Sequence, residues 1–270
     1  MPEMNSTKPF KQKWIRIGLL VLIAVMVTVW LMHTPDHLDG KLDAVGYAVC
    51  HQIESHTLSL GGKLLPLCAR CTGMYLGAIV ALSVLASGEK RAGKPSKAKV
   101  IVLGVLFLAF LFDSINSTLT TFLSAEPLYP PSNLARLATG LAMGVILVNL
   151  ILPMWNQTLW QEPDPRPVLH GWKQFLLLLL CEAVVGVLVW LDVPLIYYPV
   201  AILSTGTIFV ILGMVYSLLW CIILNKENTL EKFKDGWTFY LLGVICAFLQ
   251  IGLMDLLRFS LTGSWGGFQL

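Results

Sequence analysis

Seven long apolar runs, separated by short polar stretches, dominate the chain: residues 14–32, 65–86, 100–123, 134–155, 172–191, 198–224 and 237–257. A helix rising about 1.5 Å per residue needs about 20 such residues to cross about 30 Å of hydrocarbon. The pattern therefore predicts an all-α fold, a polytopic transmembrane helix bundle of about seven spans forming one integral membrane domain over residues 1–270. The first run is longer than the 7–15 apolar residues of a signal peptide, and no small-residue cleavage site follows it, so it reads as a retained helix. Between runs one and two, Leu38, Leu42, Val45 and Val49 recur at i, i+4, i+7 and i+11, the stripe of an amphipathic surface helix.

Composition agrees with this division. The 270 residues are 56% hydrophobic and 13% charged, against about 45–50% and about 25% for soluble domains. The net charge of +3 is what a cytoplasmic bias of basic residues produces, and it implies no nucleic-acid partner. With the N-terminus inside, 14 of 19 basic residues fall on the cytoplasmic side, leaving Lys41, Lys63, Arg70, Arg136 and Arg258 on the other. That asymmetry predicts a multi-pass plasma (inner) membrane protein with a cytoplasmic N-terminus and an extracytoplasmic C-terminus. The lipid bilayer is the first partner, with a lipid or small molecule as the expected ligand; the oligomeric state is open. Walker, Rossmann, nucleophile-elbow and zincin motifs are all missing, so any chemistry occurs in or at the bilayer.

Charge and topology draw attention to residues 50–77, CHQIESHTLSLGGKLLPLCARCTGMYLG. Pro66 suits the first position of a helix, which would put Cys68 and Cys71 in its first turn on one face. The positive helix end, with Arg70 beside it, favours thiolates, the form that binds metals and attacks disulfides. Cys50, His51, Cys68 and Cys71 form a three-cysteine, one-histidine set of the kind that holds zinc. A disulfide is an equally open reading on an oxidising face. Because adjacent Cys50 and His51 do not easily face one ion, His56 or a water is an alternative ligand. His33 and His37 read as interfacial residues, and His170 lies on the other side. Cys181, Cys221 and Cys246 sit singly in apolar runs, as small hydrophobes do.

Charge within the apolar runs is the second signal, because intramembrane ions are costly and pair or line cavities. Asp113 and Arg136 are expected to pair, and Asn116 lies one turn from Asp113. Asp255 and Arg258, at i, i+3, suggest a local pair, whereas Glu182 has no evident basic partner. Gly73 and Gly77 in run two and Gly140 and Gly144 in run four form GxxxG faces that allow close helix approach. Pairing them would set Arg136 level with Cys68 and Cys71, so that Cys50, His51, Cys68, Cys71, Asp113, Asn116 and Arg136 line one outward pocket.

The motif Cys-His-Gln at 50–52, followed by Pro-x-Cys-Ala-Arg-Cys-x-Gly at 66–73, resembles the signature of an uncharacterised family of prokaryotic polytopic membrane proteins, a domain of unknown function. Asp113 and Asn133-x-x-Arg136-x-x-x-Gly140 extend the likeness, which is specific over residues 47–145. One departure is His56-Thr57-Leu58, where the family often has Arg-Ser-Phe. The resemblance singles out Gln52, Arg70 and Asn133 beside the residues above and implies no activity. Three function classes follow: a zinc site that organises or activates an outward pocket, with Asp113 and Arg136 as catalytic candidates; thiol redox through Cys68 and Cys71; and transport or binding along a path through Asp113, Arg136 and Glu182. No inverted repeat or pair of broken helices supports the last.

Overall fold

The computed structural model describes residues 9–86 and 90–268. Helix α1 (Pro9–His33) leads to α2 (His37–Val49), then a hairpin of β1 (Thr57–Leu60) and β2 (Lys63–Cys68). Helix α3 (Ala69–Leu85) is followed by β3 (Arg91–Gly93), α4 (Lys97–Leu123) and α5 (Asn133–Leu159). Strand β4 (Asp164–Pro167), which pairs in parallel with β3, precedes α6 (Trp172–Trp190), α7 (Tyr197–Ile223) and α8 (Phe233–Thr262). The protein is an all-α polytopic bundle, and its described residues hold six helices long and apolar enough to span a membrane; α3, at 17 residues, is shorter.

Helix α3 is the centre, and glycine explains how. An added Cβ would come within 2.4 Å of the Leu137 carbonyl oxygen at Gly73 and of the Leu141 carbonyl oxygen at Gly77. At Gly140 and Gly144 it would come within 2.3 Å of the carbonyl oxygens of Arg70 and Met74. The two GxxxG faces therefore pack α3 against α5 backbone to backbone, as their spacing predicted. Around this seam, Ala78, Ala81, Val145 and Val148 are fully buried. Helix α1, by contrast, buries none of its apolar window, and α4 turns only Lys99, Asp113, Asn116 and Ser117 fully inward.

Local boundaries depart from the expectation in two places. Residues 65–68 are strand rather than the start of a span, so Pro66 lies inside β2 and not at the first helical position. The hairpin turns at Gly61 and Gly62, both left-handed with φ of 62° and 78°, a conformation that glycine adopts at no steric cost. Helix α2 forms, but it is packed into the bundle rather than laid on its surface: Leu42, Val45, Tyr47 and Ala48 are buried, and only Leu38 of the outer stripe is half exposed. Helices α5 and α8 also run past the expected ends of their spans.

Candidate metal centre

The site begins where α2 stops. The Cys50 N–H still donates to the Gly46 carbonyl, at 2.8 Å, and the chain then turns through Gln52, at φ 51°. The Gln52 Nε2 donates to the carbonyls of Asp43 and Pro66, each at 2.9 Å, which ties the turn to β2. Antiparallel pairing sets Thr57 opposite Cys68, and the Gly61 N–H is held by Asp192 Oδ1 at the far end of the hairpin. Cys68 thus arrives as the last strand residue and Cys71 sits in the first turn of α3. The Thr72 hydroxyl donates to the Leu67 carbonyl there.

This geometry brings the sulfurs of Cys50, Cys68 and Cys71 within 4.8 Å of one another. Three sulfurs on a tetrahedral ion at about 2.3 Å stand about 3.8 Å apart, so a small contraction would close them on a metal. All six cysteines are free. The Cys68 backbone N–H points at Cys50 Sγ, at 3.3 Å. Hydrogen bonds from the Cys50 and Cys71 thiols, and a further one from His51, hold the Cys68 thiol well below its usual range against the opposing effect of burial. Cys50, as a donor in that arrangement and buried, is pushed up to about 12.

His51 contributes in a particular tautomer. Its Nδ1 accepts the Ile53 N–H at 3.0 Å, which leaves the ring proton on Nε2, free to donate to the Cys68 sulfur. As positioned, the ring supports a thiolate; to ligate through Nε2 it would have to surrender the Ile53 bond. Its carbonyl, with that of Cys50, is gripped by Arg258. The Arg258 Nη1 donates to the carbonyls of Tyr47 and Cys50, both at 2.7 Å, and its guanidinium lies 3.9 Å from the Tyr47 ring centroid. The Phe268 N–H donates to the His51 carbonyl, so residues beyond α8 fold back over the turn.

Beside the sulfurs lies a second buried network, wired differently from the expected Asp113–Arg136 pair. Asp113 Oδ2 accepts from Arg70 Nη2 at 2.5 Å and its Oδ1 from the Tyr129 hydroxyl at 2.6 Å. Thr139 Oγ1 is also within reach of Oδ2, at 3.4 Å. Arg136, only 5% exposed, instead donates to the Ser117 hydroxyl and to Asn133 Oδ1, at 2.9 and 2.7 Å. Arg70 wins because the first turn of α3 sits directly against α5 at Gly140, within reach of α4. Asn133 in turn donates to the Ser55 carbonyl at 3.2 Å. Asn116 holds the 124–132 loop, accepting from the Leu128 N–H and donating to the Tyr129 carbonyl.

His56, buried between these groups, meets Thr121 Oγ1 through Nε2 at 3.2 Å and stands edge-on to His51. Burial first, then the neighbouring Arg136, depress it to about 4. It is a neutral hydrogen-bonding ring at neutral pH and does not replace a basic anchor. Asp255 and Arg258 do not form the expected local pair, since Asp255 accepts from Trp30 Nε1 at 2.9 Å while Arg258 serves the turn. Glu182 is buried, and both its oxygens lack a hydrogen-bond partner among the described residues. Tyr129, Ser117 and Thr139 carried no sequence signal beyond their polarity, and Arg258 was signalled only as a local partner of Asp255. All are loop or helix residues whose direction depends on tertiary packing.

No curated protein and no solved structure matches the chain. A family match exists, and it covers the sulfurs, Arg70, Asp113 and Arg136 together: residues 50–150 match the model of the family described as predicted membrane protein, DUF2085.

Proposed function

We propose that Cys50, Cys68 and Cys71 bind one divalent metal ion, zinc by the softness of the donor set, at the extracytoplasmic end of a plasma-membrane bundle. The observation that carries this reading is the convergence of three free sulfurs within 4.8 Å. Sulfur donors and a tight, nearly tetrahedral spacing suit zinc rather than calcium or magnesium. His51 or a water completes the set, the former by rotating its ring away from Ile53.

Charge balance supports a divalent ion. Arg70 and Arg136 against Asp113 leave one positive charge buried beside the sulfurs, and an isolated buried charge is strongly unfavourable. Three thiolates around a divalent ion carry one negative charge and make the assembly neutral. Burial of Cys50 and Cys68, 6% and 2% exposed, also weighs against thiol exchange, since redox cysteines are partly accessible; Cys71 alone of the three is partly exposed. Asp113 has its oxygens engaged by Arg70, Tyr129 and Thr139, so it acts as a structural anchor rather than a base. In this reading the metal fastens α2, β2 and α3 into one unit. The orientation rests on the 14-to-5 division of basic residues.

Elemental analysis of the detergent-purified chain under reducing conditions tests the proposal. One zinc per chain is expected, falling to background in Cys68→Ser. Metal-free protein whose three thiols titrate freely would overturn it. Alkaline phosphatase fused after Thr262 should be active and after Asn225 inactive; the reverse would overturn the orientation.

A further inference from the structure

At the opposite end of the bundle from the sulfurs, α3, α5, α7 and α8 enclose a cavity of about 600 Å³. Its size falls within the range of about 300–1,000 Å³ of ligand sites. The inner wall is apolar, with Leu82, Leu152 and Met214. Towards the helix ends it becomes aromatic, with Trp160, Trp237 and Tyr240; the last two rings are stacked, centroids 5.8 Å apart. Tryptophan and tyrosine at this level are what a membrane interface selects. Ser83 and Trp237, which line the cavity and are also exposed, mark where it reaches the perimeter.

Among the described residues, one charged residue lines this space. Lys90 Nζ lies 4.5 Å from the Trp160 ring centroid and donates once, to the Glu231 carbonyl at 2.6 Å. An ammonium has three donors, so among the described residues two are left for an anion at the rim. Lys94, Lys97, Lys232 and Lys234 belong to the same end of the bundle. An apolar slot opening at the interface, with a cation at its mouth on a basic face, has the polarity of an anionic amphiphile.

We propose that this cavity takes an acyl chain of an anionic phospholipid from the adjoining leaflet, with the phosphate at Lys90. The chain enters between Ser83 and Trp237 and lies along Leu82, Leu152 and Met214. The head group stays at the level of Lys90, where attraction to anionic lipid is strongest. The site is separate from the cysteine centre and holds whether or not a metal binds there.

Native mass spectrometry of the full chain, equilibrated in mixed micelles with phosphatidylglycerol and phosphatidylcholine of identical chains, tests this. One retained phosphatidylglycerol per chain is expected, favoured about fivefold over phosphatidylcholine, the factor one lysine near an anionic surface supplies. Lys90→Gln should remove the preference between the head groups. Met214→Trp, which fills the slot, and Ser83→Trp, an exposed change at its mouth, should each abolish retention of both lipids. Equal retention of the two lipids by the wild type would overturn the proposal. So would undiminished phosphatidylglycerol retention in Lys90→Gln or in both tryptophan variants.

Discussion

The two ends of the α3–α5 seam are built on opposite principles. At the cysteine end, backbones touch and the central polar groups are bonded: Gly140 presses on the Arg70 carbonyl, and Asp113, Arg136 and Gln52 are each bonded to at least two partners. At the other end, rings and methyl groups surround unfilled space with Lys90 at its rim. The same two helices therefore supply a rigid frame at one end and a receptive slot at the other. The contrast shows that apolar content alone does not reveal which part of a membrane helix is structurally committed; the volume left between backbones does.

The sharpest way to break the comparison is to remove a charge from the committed end. Asp113→Asn leaves Arg70 and Arg136 buried with no carboxylate, and it is expected to destabilise by about 3–5 kcal/mol in reversible detergent unfolding. A loss below 1 kcal/mol would show that the network is not truly buried. Gly140→Val should come next, at about 3 kcal/mol, because backbone rather than a movable side chain opposes the new Cβ. Its unfolding midpoint would drop without a change in slope.

Asp43 offers a smaller effect of opposite sign. Burial, and then Asp39, raise its carboxyl from 3.8 to about 6. A raised carboxyl means that the folded state binds more protons between those values, so its contribution is intact below about 4 and is lost as pH rises through 6. Asp43→Asn should therefore stabilise at pH 8, by on the order of 1 kcal/mol after solvent screening, and the gain should shrink at pH 5. A pH-independent gain would remove titration as the cause. The mildest change belongs to the open end. Met214→Phe adds volume where space exists, and a shift under about 1 kcal/mol is expected. A penalty like that of Gly140→Val would erase the distinction between the ends.

Much of this was legible in the sequence, for physical reasons. The GxxxG faces announce themselves because only glycine permits such contact, and cysteines three apart near a helix start converge by geometry. The partner of Asp113 was not legible, since spacing along a helix gives depth but not the direction a neighbour faces. Depth alone made Arg136 and Arg70 equivalent. The hairpin could have been found from the glycine pair Gly61-Gly62 after Leu58-Ser59-Leu60, but the run from Leu65 onward merges into the next helix and hides the boundary. Arg258 looked like half of a local pair because its real partners, the carbonyls of Tyr47 and Cys50, lie some two hundred residues away.

The brevity of α3 bears on how the protein is assembled. Seventeen residues rise about 26 Å, short of about 30 Å of hydrocarbon, and a hairpin precedes them where other helices would supply another turn. Such a segment leaving the translocon alone would expose strand backbone to lipid, where no water satisfies it. Its insertion is therefore expected to await α5, whose glycines receive it. Ribosome-bound chains truncated before residue 133 should hold α3 at the translocon, accessible to aqueous thiol reagents at Cys68 and Cys71, and those extending well beyond residue 159 should not.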